Sequence, residues 1–147
     1  MMTSIDTNVL LAAVEADNVH HRAASGFLES LQDRYDVVIS EFFLLELYGL
    51  LRNPAVLSRP LGALAACQVC MQFRSHPRWQ LVGFPPDSRA FHDQFWPRLR
   101  DRNFARRRAF DWRAALSLLR NGVTELATAN VRDFQGFGFT RVWNPLE

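Results

Sequence analysis

Residues 4–13 read SIDTNVLLAA, and this stretch decides the fold class of the chain. It begins as a short β-type run, breaks at the polar residues Asp6, Thr7 and Asn8, and continues as an apolar stretch of helical character. We therefore predict a strand that passes directly into a helix, with the carboxylate of Asp6 at the end of the strand.

The remainder of the chain repeats this order of strand and helix. Apolar residues at helical spacing predict helices over 19–32, 40–52, 61–73, 111–121 and, after a turn at 85–88, up to about residue 100. Short apolar runs predict strands at 37–39, 80–82, 126–127 and 141–143. Ser40 is the expected N-cap of its helix, and Gly122 is expected to end helix 111–121. Alternating strands and helices predict an α/β fold, a three-layer α/β/α sandwich with a central, mainly parallel sheet, in one domain over residues 1–147.

The composition excludes several classes of protein. The chain is 48% hydrophobic with a formal charge of +2, so it can fill a core and is not basic enough overall to indicate nucleic-acid binding. All 17 basic residues are arginines, which fits an arginine-biased genome or a need to bind phosphate. Cys67 and Cys70 lack the second pair of ligands that a zinc site needs, and they are expected to be buried helix residues. Without an apolar secretion signal or membrane span, the chain is expected to be cytoplasmic.

Four acidic residues are expected to meet at one edge of the sheet. Asp6 follows the first strand, Glu46 lies on the helix after the second, Asp111 begins a later helix, and Asp133 follows the strand near Leu126. Sites in open α/β sheets lie at the carboxyl ends of the strands. Carboxylate oxygens suit Mg²⁺ or Mn²⁺, and such an ion can activate water and neutralise a phosphoryl group under attack. The pattern therefore predicts a metal-dependent phosphodiester hydrolase.

Three of these four acids also have a purely structural interpretation. Glu46 interrupts the apolar run FFLLELYGLL, where a lone buried carboxylate would be costly, but it could instead point to solvent or pair with Arg52. Glu41, in the first turn of the same helix, is interpreted as structural. Asp6 and Asp111 could simply be helix N-caps.

Four motifs in order resemble the PIN-domain family of the VapC toxin type. They are SIDTNVLLAA from Ser4, SEFFLLEL from Ser40, DWRAALSLLRNG from Asp111 and TANVRDFQGFGFTRVWNPL from Thr128. The resemblance implies a Mg²⁺- or Mn²⁺-dependent endoribonuclease, with Asp6, Glu46, Asp111 and a polar group of the last motif at the metal. It also implies an RNA substrate, a homodimer and an antitoxin partner in a type II toxin–antitoxin system.

The last motif departs from the family pattern. Many relatives have an aspartate where this chain has Asn130, so Asp133 is the remaining acid, and the second of two ions would be held weakly. Thr7, Asn8, Thr128 and Asn130 are expected to orient ligands by hydrogen bonds, or to act only as caps.

Two further assignments remain open on the sequence. Arg106, Arg107 and Arg108 belong to an arginine-rich run that could contact RNA phosphates or could form a solvated face. Two other functions are considered: a weakened PIN module that binds RNA or a protein without cutting, and an aspartyl-phosphate phosphatase. The second would need another acid two residues after Asp6, where the chain has Asn8.

Overall fold

A five-stranded sheet organises the chain, whose residues 1–147 are all described by the computed structural model. The strands are β1 Met2–Ile5, β2 Val37–Ser40, β3 Gln80–Val82, β4 Val123–Ala127 and β5 Arg141–Trp143. Their order across the sheet is β3-β2-β1-β4-β5, and every neighbouring pair is parallel. The predicted α/β class is confirmed, and the sheet is wholly rather than mainly parallel.

The helices connect the strands and cover both faces of the sheet. They are α1 Thr7–Val14, α2 His21–Leu31, α3 Glu41–Leu51, α4 Ala63–Arg74, α5 Ser88–Phe95, α6 Arg108–Arg120 and α7 Val131–Phe134, with a 3₁₀ helix at Trp96–Arg100. None of them combines the length and the apolar character that a membrane span requires.

Local capping explains where several helices start and stop. The side chain of Asp6 accepts a hydrogen bond from the backbone N–H of Thr7, and that of Ser40 accepts one from the N–H of Phe42. Helix α6 ends before Gly122, which has a φ of 84°, a conformation that glycine adopts without steric cost. The predicted caps at Ser40 and Gly122 are therefore confirmed.

Successive residues of β2 pack into two separate hydrophobic cores, one on each face of the sheet. Val37 and Ile39 of β2 belong to one core, with side chains of α1, α2, α3 and α4, whereas Val38 belongs to the other, with side chains of α5, α6 and α7. A strand buried on both faces needs a layer of helices on each side. This arrangement gives the predicted three layers and leaves the strand ends to carry polar residues.

Two predictions about individual residues are wrong. Cys70 is buried, but Cys67 is exposed, because α4 covers the core with one side only and Cys67 lies on the other. Helix α6 begins at Arg108 rather than at Asp111, so Asp111 lies in its first turn and is not its N-cap.

Candidate functional site

The carboxyl ends of the parallel strands bring the polar motifs to one edge of the sheet. Asp6 directly follows β1 and Thr128 directly follows β4, and the last residues of these strands, Ile5 and Ala127, are register partners. Helix α3 starts at the same edge because it follows β2 without an intervening loop. The first, second and fourth motifs of the sequence therefore meet here.

Asp6 is a buried carboxylate that is held on both of its oxygens. It is 5% exposed; Oδ1 accepts the backbone N–H of Thr7 at 2.7 Å, and Oδ2 accepts the hydroxyl of Thr128 at 2.7 Å and the amide of Asn8 at 3.2 Å. Burial raises its pKa from 3.8 to about 7, against the hydrogen bond from Thr128, and the negative charge of Glu46 adds to the rise. No arginine forms an ion pair with it.

Glu46 lies in the middle of α3 and opens onto the site rather than into the core. Glu46 is exposed, so of the alternatives that the sequence left open, its carboxylate does not face the apolar core. Its Oε2 accepts the hydroxyl of Thr7 at 3.1 Å, and the same hydroxyl lies 3.1 Å from the carbonyl of Phe43. Neighbouring protein atoms remove part of the water from the carboxylate and raise its pKa, which the hydrogen bond from Thr7 opposes. The alternative partner, Arg52, binds Tyr48 instead.

Asp111 is the acid that α6 contributes. Burial raises its pKa from 3.8 to about 6, and the negative charges of Glu46 and Asp133 raise it further, whereas Arg108 and Arg107 oppose the rise. The charges of Glu46 and Asp111 also raise the pKa of Asp6, so the acids interact electrostatically across the site. The structure thus brings Asp6, Glu46, Asp111 and Asp133 into one electrostatic neighbourhood.

The four acids do not form a preassembled metal site. No group of three or more acidic, histidine or cysteine side chains lies close enough together to hold a metal ion by itself. Glu46, Asp111 and Asp133 line an open pocket of about 530 Å³ together with Asn130, whereas Asp6 lies deeper, at the end of its strand.

The polar neighbours of Asp6 form one hydrogen-bonded network. The hydroxyl of Thr128, which donates to Asp6, also accepts the backbone N–H of Asn130 at 2.9 Å. Asn8 uses its amide to reach Asp6 and its carbonyl oxygen to accept the N–H of Ala129 at 3.1 Å. The network joins the start of α1 to the loop after β4 and fixes the orientation of the buried carboxylate.

Of the three side chains of Arg106, Arg107 and Arg108, only the last forms hydrogen bonds with other residues of the chain. Arg108 donates to the backbone carbonyls of Asp133 at 3.0 Å and Gln135 at 3.4 Å and lies over the ring of Phe137. Arg107 lines the pocket, and Arg106 is exposed. Arg108 is therefore engaged in the packing of α6 against the last motif.

The other residues that line the pocket were not identified from the sequence. They include Phe42, Leu45, Phe110 and Arg113. Only position marks them in the sequence: Leu45 and Phe110 each immediately precede an acid of the site, and both lie outside the buried faces of their helices.

The comparisons with known proteins agree with the fold and the motifs. The family model described as "PIN domain" matches residues 4–69. Ribonuclease VapC24 of Mycobacterium tuberculosis is 46% identical over 145 residues, which are 99% of this chain and 97% of the relative.

Two solved structures share the fold. Mycobacterium tuberculosis VapC20, a toxin that cleaves the sarcin-ricin loop, superposes with a TM-score of 0.66 at 20% identity, over 94% of this chain and 96% of its own. VapBC2 of Rickettsia felis, bound to a DNA fragment from its promoter, gives 0.65 at 18% identity, over 98% and 100%. At such identities the two structures support the fold alone. The family assignment rests on the full-length match to VapC24. This chain belongs to the PIN-domain family, among the VapC ribonucleases.

Proposed function

We propose that this protein is a Mg²⁺- or Mn²⁺-dependent endoribonuclease that acts as the toxin of a type II toxin–antitoxin system. The observation that carries the proposal is the carboxylate of Asp6, buried at a strand end beside Glu46 and Asp111 without a cationic side chain to pair with it. A buried, unpaired negative charge is unfavourable, and a bound divalent cation offsets it. The full-length similarity to a protein named Ribonuclease VapC24 supports RNA as the substrate.

The donor set fits such an ion. All four acids offer hard oxygen ligands, and Mg²⁺ typically keeps several waters while using only one or two protein carboxylates. A compact group of three carboxylates is therefore not needed. Asp6 and Asp111 are the proposed direct ligands, Glu46 and Asp133 are proposed to act through water or at a second ion, and Asn130 adds a neutral oxygen. When bound, the cation supplies an acidified water and neutralises charge on the scissile phosphate.

The chain's own side chains then have separate tasks. Thr7 and Thr128 hold the carboxylates of Glu46 and Asp6 in fixed orientations through hydrogen bonds of 3.1 and 2.7 Å. Glu46 opens onto the pocket, and its raised pKa suits an oxygen that accepts a proton from the attacking water. Arg107 lines the same pocket and is proposed to contact an RNA phosphate.

The partners of the protein are also part of the proposal. VapBC2 is a complex bound to promoter DNA, and by analogy we propose that an antitoxin binds this chain and blocks its pocket. We further propose that the chain forms a homodimer. Leu64 and Met71, which are 73% and 45% exposed on α4, are apolar side chains that a second copy would cover.

A cleavage assay tests the proposal. Purified protein is incubated with a mixed RNA pool in Mg²⁺, in Mn²⁺ and in EDTA, beside the Asp6→Asn variant and a Glu41→Gln control. Glu41 is an acid of α3 that pairs with Arg74 at 2.7 Å and lies outside the pocket lining. We expect cutting in either metal, none in EDTA, a loss of about 100-fold or more in Asp6→Asn and no loss in the control.

Two kinds of result would contradict the proposal. Cutting that persists in EDTA, or equally in Asp6→Asn, would contradict the metal-dependent mechanism. Tight RNA binding without any cutting would favour the weakened binding module, which the neutral side chain of Asn130 makes the second candidate.

A further inference from the structure

The pocket beside the acids has an apolar wall that water contacts freely. Phe110 is 69% exposed and Leu45 is 72% exposed, and each directly precedes an acid of the site, Asp111 or Glu46. Phe42 continues the same wall. Large apolar side chains grouped in a pocket commonly mark a binding surface, so this wall suits a ligand with a flat apolar part next to the acidic groups.

Two arginines that line the pocket form no ion pair with an acid. The guanidinium carbon of Arg113 lies 4.8 Å from the ring centroid of Phe42 and 5.8 Å from that of Phe110, and its buried Nε has no hydrogen-bond partner. Arg107 lines the same pocket. All four ion pairs of the chain lie elsewhere, although the arginines share the pocket with Glu46, Asp111 and Asp133.

Acidic, cationic and aromatic side chains that line one pocket together match the parts of one nucleotide. The phosphate can lie between the arginines and the acids, with a bound cation linking it to the acids. The base can then contact the aromatic ring. We propose that the pocket binds one unpaired nucleotide of the RNA, with its base against Phe110 and its phosphate near Arg107 and Arg113. This inference rests on the proposed ribonuclease function and makes Phe110 a specificity-determining residue.

The inference also restricts the kind of RNA that is bound. A base in a duplex has both faces covered by its neighbours, so it can contact Phe110 only after it leaves the stack. The volume of about 530 Å³ lies within the range of small-ligand sites, which is too small for a double helix. We therefore expect preference for single strands and loops over continuous duplex.

The experiment compares two aromatic residues of equal exposure. Tyr35, like Phe110, is 69% exposed and has an arginine, Arg78, over its ring, but it precedes β2 and so lies at the opposite edge of the sheet. Binding of a short, fluorescein-labelled unstructured RNA is measured by anisotropy in EDTA for the wild type, Phe110→Leu, Phe110→Tyr and Tyr35→Leu. KM and kcat are measured separately in Mg²⁺.

We expect Phe110→Leu to raise Kd and KM about tenfold, because an aromatic side chain that stacks on a base contributes about that factor. Phe110→Tyr should restore binding, Tyr35→Leu should bind as the wild type does, and a duplex RNA should bind equally weakly to all four proteins. If Phe110→Leu does not fold, Phe110→Trp is used in its place. Binding of RNA should then quench the fluorescence of the introduced tryptophan, and an unchanged fluorescence overturns the inference.

The outcomes separate this inference from the function on which it rests. If the wild type cuts RNA in Mg²⁺ while Phe110→Leu and the wild type bind it equally, the nucleotide site is wrong and the ribonuclease stands. If the wild type never cuts but Phe110→Leu still weakens binding of the single strand, the site stands and the ribonuclease is wrong.

Discussion

The raised pKa of Asp6 makes the free energy of unfolding depend on pH in the metal-free protein. The carboxyl ionises at about 3.8 when the chain is unfolded and at about 7 when it is folded. Between these values the folded state holds a proton that the unfolded state has released, so the free energy of unfolding falls as the pH rises. Its contribution is complete below pH 4 and is lost through pH 7. The raised pKa of Asp111 acts in the same direction.

We therefore predict that the protein in EDTA melts at a lower temperature at pH 8 than at pH 5.5. Asp6→Asn removes the buried charge, so it should raise the melting temperature at pH 8 and reduce the dependence on pH. Thermal denaturation followed by circular dichroism at both pH values measures this. A wild type that is more stable at pH 8 in EDTA would contradict the prediction.

Thr7 is predicted to position Glu46. Its hydroxyl lies 3.1 Å from Oε2 of Glu46 and 3.1 Å from the carbonyl of Phe43, and Thr7→Val removes both contacts at constant shape. We expect kcat for RNA cleavage to fall about tenfold while KM changes little, with a loss of about 1 kcal/mol in stability.

The matched control for Thr7 is Thr124→Val. The hydroxyl of Thr124 lies 3.4 Å from the backbone carbonyl of Met2, at the far end of the sheet. This variant should lose stability without losing kcat. Equal losses of kcat in the two variants would mean that Thr7 serves only the fold.

At the scale of elements, local pattern predicted most of the fold, because apolar periodicity and caps act within a few residues. SIDTNVLL became β1 and α1, and the cap of α3 formed at Ser40. The start of α6 escaped prediction because it depends on distant groups: Arg108, its first residue, is held by the carbonyls of Asp133 and Gln135.

The same distinction applies to the site. Strand ends indicated that Asp6 and Glu46 would lie near each other, since parallel strands end at one edge. The sequence left open whether Glu46 faces the site, points to solvent or pairs with Arg52, because the apolar residues around it on α3 pack into two cores and leave Leu45 exposed. That orientation depends on how α3 packs, which no pattern within the helix encodes.

We predict that Arg108→Met destabilises the contact of α6 with the α7 segment. The change keeps an apolar stem over the ring of Phe137 but removes the hydrogen bonds to Asp133 and Gln135. Because charged donors contribute about 1.5–3 kcal/mol each when buried and less when partly exposed, we expect a loss of roughly 1–2 kcal/mol. Urea denaturation measures it, and Arg106→Met, at an exposed neighbour, is the control that should lose almost nothing.

At the scale of the whole molecule, a net charge of only +2 conceals a local excess of negative charge. Glu46 and Asp133 raise the pKa of Asp111, and Glu46 and Asp111 raise that of Asp6. The fold therefore brings like charges together at one edge of the sheet, at a cost to its own stability. A cation that binds only the folded state recovers part of that cost.

Mg²⁺ is accordingly predicted to raise the melting temperature, and more at pH 8 than at pH 5.5. At a concentration 100-fold above Kd the gain is about 2.7 kcal/mol. At the lower pH, protons occupy Asp6 and Asp111, whose pKa values are about 7 and 6, and they compete with the ion. The gain should vanish in Asp111→Asn and persist in Glu41→Gln, which removes an acid paired with Arg74. A gain of equal size in both variants would trace the effect to general screening of surface charge, because the two substitutions change the net charge equally and only one of them changes the site.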